Sequence, residues 1–82
     1  MSEEKHRRDE WFVASLQAYR QAMYRTALSM LRRSAEAEDA VSTATINSYA
    51  RLPYLCEPER IGPYLLRATV NACYSQLRRR KR

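Results

Sequence analysis

RIGPYLLRATVNACYSQLRRR, residues 60–80, carries two patterns at once. Wound at about 100° per residue, Ile61, Leu65, Leu66, Ala68, Val70, Ala72, Cys73 and Leu77 gather on an apolar arc about half the circumference wide. The remaining side holds Arg60, Tyr64, Arg67, Asn71, Tyr74 and Arg78 at steps of four, three, four, three and four, one stripe confined to roughly 80°. The spacing predicts a helix that buries one half and exposes the other. Its start lies between Glu59 and Pro63, because Gly62 and Pro63 either open it or kink its first turn, and it runs to about Arg79.

The exposed stripe combines residue types suited to single-stranded or melting DNA. Arginines neutralise phosphates, tyrosine rings offer stacking surfaces to unpaired bases, and an asparagine amide presents a donor and an acceptor to a base edge. Arginine and tyrosine are also common on ordinary solvated helices, but those mix in Glu and Lys, and neither occurs between Arg60 and Arg80.

Upstream of this helix, residues 53–58 form a loop with apolar and aromatic content, Tyr54 included, that either packs over the core or contacts a partner. Before it, Ser34 offers an N-cap with Glu36 and Glu38 behind it, which marks the start of a second helix. That helix carries Ala37, Val41, Ala44, Ser48 and Leu52 as a narrow stripe of small residues, and Pro53 ends it. Further upstream Phe12, Leu16, Tyr19, Met23, Ala27 and Met30 recur at steps of three and four, widened by Leu28 and Leu31, so a first helix is expected from about Asp9 to Arg33. Residues 1–10 are almost wholly polar and read as a flexible start with no share in the core; residues 11–82 form the domain.

Eighty-two residues suffice for one compact domain, and one glycine against three prolines leaves room for few, long helices. The expected fold is all-α, a compact bundle of three main helices. The net charge of +6 and sequence pI near 9.8 point to acidic partners, nucleic acid ahead of anionic membrane. Cys56 and Cys73 lie far apart with His6 the only histidine, so neither a metal site nor a disulfide framework is expected. No Gly-rich phosphate loop and no acid–base constellation is present, so no catalytic residue, cofactor or enzyme activity is expected. The apolar runs fall short of a signal peptide or a membrane span, so a cytoplasmic location is expected.

Two stretches resemble something more specific. Ala37-Glu38-Asp39-Ala40-Val41 followed by Ile46-Asn47-Ser48-Tyr49, and Tyr64-Leu65-Leu66-Arg67-Ala68-Thr69-Val70-Asn71 leading into Leu77 and the arginine cluster, look like region 2 of extracytoplasmic-function sigma factors of the sigma-70 superfamily. The resemblance extends from Trp11 onward. It implies a domain whose second helix docks on the clamp helices of the largest catalytic subunit of bacterial core RNA polymerase. Its third helix and the preceding loop would capture, and help to melt, the non-template strand of the minus-ten promoter element. On that reading Asp39, Val41, Ser42, Thr43, Thr45, Ile46 and Asn47 face the polymerase, and Tyr54 and Arg79 join the spacing-derived stripe on DNA.

The chain departs from the family in ways that matter. Ser42, Thr43 and Thr45 stand where the family usually has glutamine, an acid and phenylalanine, and Tyr49 and Tyr64 where tryptophan is frequent. Those changes weaken the polymerase surface and keep a second reading open, a diverged interaction domain, for example one bound by an anti-sigma factor, without promoter recognition. A third is a nonspecific nucleic-acid or membrane-surface binder driven by the arginine run. The family joins region 2 to a helix-turn-helix region 4 that these residues lack, so an excised domain is expected.

Overall fold

The computed structural model describes residues 2–51 and 58–80. Among them stand three α-helices, α1 (Ser2–Leu31), α2 (Ser34–Ala50) and α3 (Ile61–Arg80), with a 3-10 turn (Pro58–Arg60) leading into α3 and no strand. Each helix packs against the other two, as the all-α expectation requires.

The first helix begins at Ser2 rather than near Asp9. Glu, Lys and Arg are good helix formers, and Glu3 and Glu4 lie in the first turn, where the helix dipole favours negative charge. Polarity keeps residues 3–8 exposed and out of the core but does not stop them winding. At about 1.5 Å per residue the helix is about 45 Å long, which accounts for the 44 Å long axis of the molecule.

Neither glycine nor proline occurs between residues 2 and 51, so the break after α1 has no breaker residue behind it. Arg32 makes it instead, in the left-handed region at φ 63°, with its N–H donating to the Leu28 carbonyl at 2.8 Å. Ser34 turns out to be the first helical residue; the N-cap is Arg33, extended at φ −127° and ψ 126°, with no side-chain cap. At the other end the Arg51 N–H is shared between the carbonyls of Asn47 and Ser48, at 3.3 and 3.2 Å. The helix thus stops at Ala50, and Leu52, Pro53 and the loop bearing Tyr54 lie outside the described residues.

Phe12, Met23, Ala27 and Leu31 of α1 are buried, with Leu16, Tyr19, Leu28 and Met30 partly so, close to the expected face. From α2 come Ala37, Ala40, Ala44 and Ser48, small enough to bring neighbouring backbones close; Ala40 was not in the expected stripe, and Val41 sits at its margin. On α3 the buried residues are Ile61, Gly62, Leu65, Thr69, Ala72, Cys73 and Gln76. The centre of this face is the 62–65–69–72–76 seam, so two polar residues occupy it while Leu66, Ala68, Val70 and Leu77 move to its edges.

Both seam polar groups are satisfied. Thr69 Oγ1 donates to the Leu65 carbonyl at 2.8 Å, and Gln76 Nε2 donates to the Glu36 carbonyl at 3.0 Å and to Asp39 Oδ2 at 3.1 Å. One turn further on, Arg80 closes the same end of the bundle. Its guanidinium makes a forked contact with Glu36, Nε to Oε1 at 3.0 Å and Nη2 to Oε2 at 2.6 Å, and Nη2 also reaches the Leu31 carbonyl at 2.7 Å. All three helices meet at this clasp.

Candidate nucleic-acid interface

The seam of α3 faces the other helices, which turns the arginine–tyrosine–asparagine stripe outward. Arg60, Arg67, Asn71, Tyr74 and Arg78 are exposed and Tyr64 is half-buried. Tyr74, at 53% exposure, presents most of its ring to solvent. Arg78 Nη2 donates to Ser75 Oγ at 3.1 Å, a contact within its own helix that leaves the rest of the guanidinium outward. Arg79 is exposed beside it.

The stripe does not stand alone. Thr43 and Asn47 of α2 and its C-cap Arg51, spaced by four, run alongside it and face Tyr64, Arg67, Asn71 and Ser75 across an open groove of about 600 Å³. Ala68 and Ala72 keep its floor low, and Ser48 lies beneath it. The Ser48 hydroxyl is fully buried and has no hydrogen-bond partner among the described residues. Among the described residues, Arg51 and Arg67 are the charged side chains of the lining and no carboxylate joins them, so the charge they give the groove is positive. Its amides, tyrosine ring and two guanidinia can hold a planar group and an attached phosphate together.

Residues read as one polymerase-facing set therefore point in several directions. Thr43 and Asn47 share the groove with the α3 stripe. Val41 and Ser42 line a separate depression of about 400 Å³ with Arg20, Tyr24 and Glu38. Thr45 Oγ1 turns back to the Val41 carbonyl at 2.8 Å, and Asp39 receives the Gln76 amide. Ile46 projects into solvent at 68% exposure, an apolar side chain with no cover. Arg51 and Ser75 were missed in the sequence, and Ser48 was read only as part of the small-residue stripe; the 43–47–51 repeat was the available signal for the first.

Two groups near these surfaces are held by α1 or α3. Tyr49 donates its hydroxyl to Asp9 Oδ1 at 2.8 Å and packs edge-on against Phe12 at 5.5 Å and 62°. The Asp9 carboxylate holds its phenol above the ordinary range. Arg80, by hydrogen bond and charge, holds the Glu36 carboxyl below its ordinary value. Burial pushes the Cys73 thiol upward, which marks it as packing rather than chemistry. Among the described residues no His, Cys, Asp and Glu group could hold a metal ion, and no helix is long and apolar enough to cross a membrane.

A family model described as Sigma-70 region 2 matches residues 16–82. No curated protein and no solved structure matches the chain.

Proposed function

The chain belongs to the sigma-70 region 2 family, whose members act in transcription initiation with core RNA polymerase and promoter DNA, and from that premise we propose that it captures the unpaired non-template strand of the minus-ten element in the α2–α3 groove. The observation that carries this reading is the groove in which Asn47 and Arg51 oppose Tyr64, Arg67 and Asn71, with no carboxylate in its lining among the described residues. Arg51 and Arg67 hold backbone phosphates, the Tyr64 and Tyr74 rings stack on bases, and the amides of Asn47 and Asn71 read base edges. Arg60, Arg78 and Arg79 extend the positive track; Tyr54, outside the described residues, joins the proposal on the family resemblance alone.

In the same proposal, α2 docks on the polymerase clamp helices with the exposed Ile46 as its apolar anchor; Asp39, Val41, Ser42 and Thr45, which turn in different directions, join that contact on the family resemblance alone. Thr43 and Asn47 move from that surface to the DNA side. The resemblance of residues 37–49 and 64–71 supports the extracytoplasmic-function subclass and a place in the bacterial cytoplasm, where the polymerase works. Sigma region 2 domains are generally not enzymes, and the groove needs no cofactor for strand capture. A second reading, an interaction domain bound by an anti-sigma factor, rests on the same exposed Ile46 and on the small hydroxyl residues around it.

Two substitutions test base reading. Asn71→Ala is expected to flatten the preference among oligonucleotides of different sequence, whereas Arg67→Ala weakens all of them about equally. Equal losses in both variants on every oligonucleotide would remove Asn71 from base recognition.

A further inference from the structure

The arginines at the clasped end of the bundle exceed what the fold uses. Arg80 ties α3 to the α1 and α2 ends, so the turn residues Arg32 and Arg33 share one end of the molecule with Arg79. Two of the nearby acids are already engaged, while Glu38 stays exposed. Glu36 takes the Arg80 fork and lies 3.6 Å from Arg33 Nε, and Asp39 accepts from Gln76. Arg32 and Arg79 are exposed and make no side-chain hydrogen bond or ion pair among the described residues.

Arg32 also occupies a backbone position that favours glycine. Its φ of 63° places Cβ against the following carbonyl, a conformation that strains an L-residue and suits glycine. Nothing in its surroundings requires the side chain for packing. A strained cation with no internal partner among the described residues, beside further cations and with Glu36 and Asp39 already engaged, fits an external anion.

We infer that this end, centred on Arg32 and Arg33, is a second DNA contact, one that holds the phosphates of duplex DNA next to the single strand in the groove. The inference rests on the strand-capture reading for its geometry. From Asn71 to Arg79 is about 12 Å along the helix axis, some three to four nucleotide steps, so a strand leaving the groove past Arg78 reaches this end within half a turn of duplex. Phosphodiesters are recognised by charge and forked hydrogen bonds, which arginine supplies irrespective of sequence.

The test compares the whole chain with Arg32→Gly/Arg33→Gln and with Arg32→Lys/Arg33→Lys on three probes: a single strand, a blunt duplex, and a duplex with a single-stranded tail. The Gly/Gln pair is expected to lose duplex affinity and about two units of its salt slope, since each phosphate contact contributes about 0.9. Its single-strand affinity stays, and its melting temperature holds or rises because glycine accepts the positive φ. The lysine pair should keep most of the slope. An unchanged duplex slope in the Gly/Gln pair, equal losses on all three probes, or no duplex binding by the parent chain would overturn the inference. Failure of strand capture looks different: single strands bind without sequence preference while the duplex arm still responds to Arg32 and Arg33.

Discussion

A methyl group added at Gly62 would fall 2.5 Å from the Tyr19 hydroxyl oxygen, inside contact distance, so α1 and α3 approach there only because the residue has no side chain. Gly62→Ala is expected to displace the Tyr19 ring and lower stability by about 1–3 kcal/mol, read as a lower urea midpoint with an unchanged slope. Leu65, fully buried on the same helix, should cost about 2–5 kcal/mol as Leu65→Ala. The second of these sites was legible in the sequence, since Leu65 lies in the middle of the apolar arc. The first was not, because the ring that forbids a side chain at Gly62 comes from a distant part of the chain; glycine next to proline suggested only that the pair opens the helix or kinks its first turn. Arg32 was invisible for a related reason. Helix ends are usually found through glycine, and here an arginine takes the glycine conformation.

At the scale of elements, every position of the α3 stripe is exposed except half-buried Tyr64, yet the pattern assigned Thr69 and Gln76 to neither side, and both are buried. Binary patterning reads side-chain polarity and has no access to a partner such as the Glu36 carbonyl on another helix. The clasp was equally hidden, since Glu36 looked like a first-turn acid and Arg80 like one more residue of a basic run. It yields a pH prediction. Arg80 depresses the folded Glu36 carboxyl below 4.5, its ordinary value, so the clasp's stabilisation is complete above about 4.5 and is lost as pH falls through the depressed folded value. Glu36→Gln should therefore lower the urea midpoint at neutral pH, with the difference from the parent chain closing in acid below 4.5. A constant difference across that range would mean that the carboxylate charge plays no part in joining the three helices.

For the molecule as a whole, family membership explains the three-helix architecture, and the groove explains what the architecture can hold. Sequence spacing found one wall of that groove, the α3 stripe. The other wall needed the rotation of α2, which a half-polar helix does not reveal: the family resemblance grouped Thr43 and Asn47 with Ile46, whereas in the fold Thr43 and Asn47 line the groove and Ile46 is exposed to solvent. The separation predicts independent surfaces. Ile46→Asp should abolish binding to core polymerase in a pull-down while oligonucleotide affinity stays at the parent level; unchanged polymerase binding would exclude Ile46 as the anchor. The most direct test of strand capture is fluorescence anisotropy of the chain on short single strands of varied sequence, at low and at near-physiological salt. Affinity that differs between sequences and keeps that difference at the higher salt is the expected result. Uniform affinity that the higher salt erases would contradict base capture in the groove and leave only a basic surface.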